Sequence, residues 1–265
     1  MEWLDRIKRA LLHGGAGFVL HAQPIIDVQS GEVVQHELLV RLVGDDGELI
    51  APGTFLYVAE RFDLIQELDR IVIARAISAL AEHAESSISR LAVNVSAKSL
   101  ADPSLPDFIE GALIDAGVDP ARACFEITET AAISNIPLAR RFGERLAQIG
   151  CELALDDFGA GLGSFYYLKH LPFDYLKIDG EFINDCVNST TDQLVIDAVV
   201  SLTHGLGKRT IAEFVSDEAT LRYLQEHGVD LAQGFHIGRP HPLERLLSPD
   251  AGPPGLSSAP PPRVR

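Results

Sequence analysis

The sequence predicts an α/β protein, a (β/α)₈ TIM-like barrel with its first strand antiparallel. Two apolar strands separated by three residues open the fold, and six further strands each follow a helical stretch. One polar residue recurs near the C-terminal end of seven consecutive strands. Alternating helix and strand imposes a parallel sheet with helices packed outside it. A chain of 265 residues suits such a barrel as one unit. A doubly wound open sheet is the structural alternative.

Residues 1–12 read as an amphipathic helix with Trp3, Leu4, Ile7, Leu11 and Leu12 on one side. Gly14-Gly15-Ala16-Gly17 breaks it, so 1–17 form an N-terminal helix and linker. Residues 18–28 and 32–43 read as strands, with only Gln29-Ser30-Gly31 between them. A parallel pair needs a crossover of about a dozen residues, so these two form an antiparallel hairpin. A long helix over 53–85 then leads to a strand at 91–95. Helical periodicity over 105–116 leads to a strand at 123–127, and 136–149 leads to 153–157. The same order repeats as 163–170 to 174–178, 191–206 to 209–213, and 219–227 to 229–233. The barrel domain is therefore expected over 18–247. From 248 to 265, Pro249, Pro253, Pro254, Pro260, Pro261 and Pro262 with Gly and Ser cannot build a core, which predicts a disordered tail.

Charge narrows the function. With 22 basic and 38 acidic residues the net charge is −16, a field that repels long nucleic acids. A small anion is still admissible where cations are concentrated locally. No apolar run reaches the roughly 18 to 20 residues that span a bilayer, and no charged-then-apolar leader opens the sequence. Cys124, Cys151 and Cys186 form no CxxC pair. That spacing argues against a disulfide framework or a thiolate zinc site and suits a reducing cytoplasm.

The polar residues near the strand ends are Glu37, Asn94, Glu126, Asp156 with Asp157, Lys177, Glu213 and Gln233. In an α/β barrel these ends converge on one face, where active sites are built. Each residue alone has an ordinary reading. Asn94 ahead of Ser96 can cap a helix, Asp156-Asp157 can open a turn, and Lys177 can be a solvated strand end. Glu126 with Glu129 can be a solvated pair, and Gln233-Gly234 a turn. Their recurrence at equivalent places outweighs those readings. Carboxylates with an amide oxygen are hard ligands suited to Mg²⁺ or Mn²⁺. So many carboxylates repel without cations. Two divalent ions sharing a carboxylate would balance the charge and activate water for in-line attack on a phosphodiester. Asp157-Phe158-Gly159 lacks the other kinase motifs. Gly159, Gly161 and Gly163 fall short of the dinucleotide fingerprint and read instead as a mobile loop over the site. The nine histidines have no metal-ligand spacing.

These motifs resemble one family. Glu37-Leu38-Leu39-Val40-Arg41 is similar to the EALxR signature, with Leu38 in place of Ala. Asn94-Val95-Ser96 resembles NxS, and Glu126-Ile127-Thr128-Glu129 resembles ExTE. Asp156-Asp157-Phe158-Gly159-Ala160-Gly161 is similar to DDFGTG, Leu176-Lys177-Ile178-Asp179 to LKID, and Gln233-Gly234-Phe235 to QGY. Gln23-Pro24-Ile25 resembles the substrate-side QPI. The chain thus resembles the EAL-domain cyclic di-GMP phosphodiesterases from about residue 18 to residue 240.

The resemblance implies hydrolysis of cyclic di-GMP to linear pGpG with two divalent cations, Mg²⁺ or Mn²⁺. Carried over by position, Glu37, Asn94, Glu126 and Asp156 hold one ion, and Asp156, Asp157 and Glu213 the other. Lys177 positions the attacking water or stabilises charge on phosphate, and Glu213 can also serve as base. Gln23, Leu39 and Arg41 lie on the substrate side, with a charge-assisted bond from Arg41 to phosphate. Gln233 supports the metal-water network, and Glu129 anchors the loop over 159–165. Homodimerisation, a cytoplasmic location, and an upstream sensory or GGDEF domain in a longer chain belong to the same expectation. Two segments depart from the family. Ala212-Glu213-Phe214-Val215-Ser216 stands where AEGVE is usual, and Ala160-Gly161-Leu162-Gly163-Ser164-Phe165 replaces TGYSSL. A cyclic di-GMP receptor without hydrolysis is the main alternative. A metal-dependent lyase or aldolase, with Lys177 as a Schiff-base residue, is a second.

Overall fold

The computed structural model describes residues 2–82, 90–159 and 165–246. Eight strands close into a barrel: β1 (Phe18–Asp27), β2 (Val33–Val43), β3 (Leu91–Asn94), β4 (Ala123–Thr128), β5 (Glu152–Phe158), β6 (Tyr175–Ile178), β7 (Arg209–Ala212) and β8 (Leu231–Gln233). They neighbour one another in chain order, and β1 pairs with both β2 and β8, antiparallel to each. The remaining neighbours are parallel. The predicted closed barrel and its antiparallel opening strand are both present. Short strands at Leu49–Ile50 and His241–Pro242 lengthen the edges of β2 and β1.

Side-chain alternation along the strands builds two apolar layers. Inside the barrel lie Ile25, Ala92, Cys124, Ala154, Tyr175, Ile211 and Leu231. Outside, residues such as Phe125, Leu153 and Leu176 pack against helices α1 (Glu2–Leu12), α2 (Pro52–Arg61), α3 (Ile65–Glu82), α4 (Leu105–Ala116), α5 (Ile136–Ile149), α6 (Thr190–Gly205) and α7 (Glu218–Glu226). Small interior residues at Ala92, Cys124 and Ala154 leave room for the ring of Tyr175. At the lower pole Arg90 pairs with Glu152 at 2.7 Å and Arg209 with Asp27 at 3.1 Å. Among the described residues no helix is long and apolar enough to cross a membrane.

Several local expectations need correction. The single helix expected over 53–85 is two helices, because Asp63 adopts a left-handed backbone with φ 56°. The Leu64 amide then returns to the Ala59 carbonyl at 2.9 Å and ends the first helix. Asp tolerates that conformation better than most residues, and helical periodicity alone does not register it. Leu12 is 82% exposed, while Ala10 joins Ile7 and Leu11 in the core. The stretch expected as helix before β6 is a 3₁₀ turn over Phe165–His170. Residues 83–85, the glycines at 161 and 163, and the tail from 248 lie outside the described residues.

One tether between α3 and the approach to α4 gives a stability test. Asp102 accepts from Arg70 Nη2 at 2.8 Å and from the Ser104 amide at 2.9 Å. The Arg70 guanidinium, then Ser104, hold its carboxyl down at about 2. A folded-state value below the unfolded one adds stability above about pH 4, which is lost as pH falls through the folded value. Asp102→Asn should cost about 1 kcal/mol at neutral pH, allowing for solvent screening. In urea titrations the gap to the parent should close between about pH 4 and pH 2.

Candidate functional site

A ring of polar side chains sits one pleat above the inner apolar layer. Moving two residues along the strands takes Ala92 to Asn94, Cys124 to Glu126, Ala154 to Asp156, Tyr175 to Lys177, Ile211 to Glu213 and Leu231 to Gln233. On the antiparallel hairpin the equivalent pair is Gln23 and Glu37, which face each other across β1 and β2. Period-two alternation therefore delivers one polar group from every strand into one layer. Glu37 corrects the strand-end pattern: it lies mid-strand, and β2 runs on to Val43. It faces Gln23 across the hairpin, and the segment His36–Leu38 around it pairs with β3.

Lys177 is the centre of the ring. Its side chain is 0% exposed, and its ammonium lies 2.8 Å from Glu126, 3.0 Å from Asp156 and Glu213, and 3.5 Å from Glu37. It is therefore placed among the carboxylates, beneath the mouth. Burial works against the charged ammonium, but Asp156, Glu126, Glu37 and Glu213 together raise its pKa well above the ordinary lysine range. Burial pushes the Glu126 carboxyl up, with Lys177 pulling it back. Burial likewise lifts Glu213 to about 7 against the pull of Lys177.

Amides complete the ring. Asn94 Nδ2 donates to Glu37 Oε1 at 2.8 Å, and Gln233 Nε2 donates to Glu37 Oε2 at 2.7 Å. Gln23 donates to the Gly238 carbonyl at 3.1 Å and accepts from Gln233 at 3.3 Å. Asn94 is not a helix cap. Ser96 caps the short helix Ala97–Leu100, and its own amide is held by buried Asp69 at 3.0 Å.

Asp157 joins Asp156 at the mouth through a break in the strand. The β5–β6 register shifts between Leu155 and Phe158, and Asp157 has φ 55°. In a regular strand consecutive side chains face opposite ways; this bulge lets both carboxylates line one site. Asp156, Asp157 and Glu213 each offer an oxygen within 4.8 Å of the others. Glu126 Oε1 is buried without a hydrogen-bond partner among the described residues. Clustered carboxylates with an orphaned buried oxygen fit hard divalent cations.

Gly234 is more than a turn residue. A Cβ there would collide with the backbone of Val215, whose amide bonds to Gln233 at 3.0 Å. This close approach fixes the segment after Glu213 against the end of β8. Above the ring opens a cleft of about 540 Å³ lined by Gln23, Leu39, Arg41, Asp157, Phe214 and Gln233 among others. Arg41 is half-buried there and donates to the Val40 carbonyl at 2.9 Å. Asn184 and Pro240 also line the cleft; no motif or strand-end pattern singled them out. Buried Glu129 accepts from the Gly159 amide at 3.0 Å and from Tyr167 Oη at 2.8 Å. It thus ties both flanks of the segment between them, and Tyr167 is a partner the motifs did not reveal.

The EAL domain family model matches residues 4–240. This chain belongs to the EAL domain family. The domain is 34% identical, over 92% of its length, to cyclic di-GMP phosphodiesterase PdeF of Escherichia coli K12, of which it covers 32%. It spans about a third of the length of such curated relatives. Among solved structures it is similar to PaMucR phosphodiesterase in complex with c-di-GMP, with TM-score 0.85, 33% identity, and coverage of 93% of this chain and 100% of that one. It is also similar to the FimX EAL domain from Pseudomonas aeruginosa bound to c-di-GMP, with TM-score 0.83, 31% identity, and coverage of 91% and 96%.

The buried ammonium gives a direct test of this EAL site. Lys177→Met leaves the carboxylates uncompensated, which should cost at least about 3 kcal/mol without metal. Thermal melts should show Mg²⁺ restoring more stability to the variant than to the parent. Parent-like stability in a chelator would refute the balancing role of Lys177.

Proposed function

We propose that this domain hydrolyses cyclic di-GMP to linear pGpG with two divalent cations, Mg²⁺ or Mn²⁺. The observation that carries the reading is the carboxylate ring at the floor of a cleft with Arg41 in its wall. The names of the similar proteins supply the substrate class.

Glu37, Asn94, Glu126 and Asp156 would hold one cation; Asp156, Asp157 and Glu213 would hold the other. Asn94 Nδ2 is engaged by Glu37, which leaves its amide oxygen as the group available for a cation. When bound, the ions supply Lewis-acid polarisation of the phosphodiester and make the attacking water more acidic. Glu213, which lies in the same carboxylate cluster as Asp156 and Asp157, would also accept a proton from that water. Lys177 keeps the carboxylates together and would position the attacking water or stabilise charge on the phosphate. Arg41 holds a phosphate by a charge-assisted bond, and Leu39 and Gln23 bound the substrate side. Gln233 orients Glu37, and Glu129 holds Gly159 and Tyr167, which flank the segment between them. The domain limits of 18–247, homodimerisation, and an upstream sensory or GGDEF domain are parts of the same proposal. The greater length of the relatives supports the last of these.

A binding-only reading draws on Phe214 and Ser216, which stand at cleft positions beside Glu213. Incubation of the pure protein with cyclic di-GMP and Mg²⁺ or Mn²⁺ separates the two. The expected product is pGpG, with chelation stopping its formation. Tight binding without any pGpG would overturn the hydrolase reading. Glu37→Ala and Asp156→Ala should each slow hydrolysis by more than about a hundredfold, because even outer-sphere partners of a metal cost up to that much. Near-parental rates in either variant would remove that residue from the ligand set.

A further inference from the structure

Phe214 directly follows Glu213 and has φ 56°, a left-handed backbone that a bulky aromatic residue seldom adopts. Its ring is 63% exposed and lines the cleft rather than joining the core. Glycine would satisfy this backbone without strain and expose less apolar surface. As a packing residue Phe214 is therefore unfavourable on both counts. Such strain persists where the surrounding structure enforces it, and it concentrates at functional sites.

The surroundings do enforce it. Gly180, after the end of β6, presents bare backbone to the ring; a Cβ at Gly180 would collide with Phe214. The amide of the next residue, Val215, is bonded to Gln233, and a Cβ on Gly234 would strike the Val215 backbone. The chain on both sides of Phe214 is thus fixed, with Glu213 in the carboxylate ring and Val215 buried. The result is a flat ring, seated on glycine, beside a carboxylate-lined floor.

We infer that Phe214 is a stacking platform for one purine base of the cyclic dinucleotide and that its ring sets how tightly the ligand is held. This rests on the reading of the cleft as a cyclic dinucleotide site. A phenyl ring has no donor for phosphate, whereas its face suits a base, and base–aromatic stacking contributes strongly to nucleotide affinity. The carboxylates below repel an anionic ligand until cations are present. An apolar contact that does not depend on charge therefore adds affinity where the electrostatics add little.

The test compares the parent with Phe214→Gly and Phe214→Tyr in Mg²⁺. KM is read if the protein turns cyclic di-GMP over, and Kd by calorimetry if it only binds. Phe214→Gly should raise that constant about tenfold, as loss of one stacked base does, without lowering kcat. Phe214→Tyr should restore it. The melting midpoint of Phe214→Gly should equal or exceed that of the parent, because glycine relieves the backbone. An unchanged KM or Kd in a parent that binds cyclic di-GMP would overturn the inference and leave the cleft reading standing. A lowered melting midpoint with proportional loss of kcat would also overturn it, by making Phe214 structural. A parent with no affinity for the dinucleotide would overturn the cleft reading and the inference together.

Discussion

The buried ammonium of Lys177 is the constraint on which the site depends. Several carboxylates brought into a barrel mouth repel one another, and burial removes the water that would screen them. One fully enclosed cation with three carboxylate oxygens within 3.0 Å holds them together. Its position in turn demands that Glu126, Asp156 and Glu213, from three different strands, occupy one layer. The barrel meets that demand because the residues beneath them, Cys124, Ala154 and Ile211, are apolar and set the pleat. Packing below and charge above are therefore two faces of the same register.

Departures from regular backbone cluster around this ring. Asp157 and Phe214 both hold left-handed conformations, each directly after a carboxylate that contacts Lys177. In the first case the bulge turns a second carboxylate toward the mouth. In the second, the irregular backbone directs an aromatic ring into the cleft. Gly234 and Gly180 allow the close approaches that keep the second in place. The regular strands supply the floor, and the irregular residues shape what stands on it.

Much of the site was legible in the chain. Polar residues such as Asn94 and Gln233 end short apolar runs, so their convergence followed from strand parity and barrel closure. Glu37 was counted with the strand ends although its strand continues to Val43, and the motif around it singled it out as well. The break at Asp63 was not legible, because helical periodicity continues across it. Tyr167, Asn184 and Pro240 were missed for a related reason: each lies outside the barrel strands, so no strand parity fixes its direction.

The sequence by itself determined the order of strands and helices, the antiparallel hairpin, and which side chains share the inner face. Those follow from local alternation, connection length and turn chemistry, which are properties of neighbours along the chain. Tertiary structure alone decided that Lys177 lies among the carboxylates, that Asp156 and Asp157 face one site, and that Phe214 rests on Gly180. Those facts depend on distances between residues remote in sequence, set by how the strands twist and pack when the barrel closes.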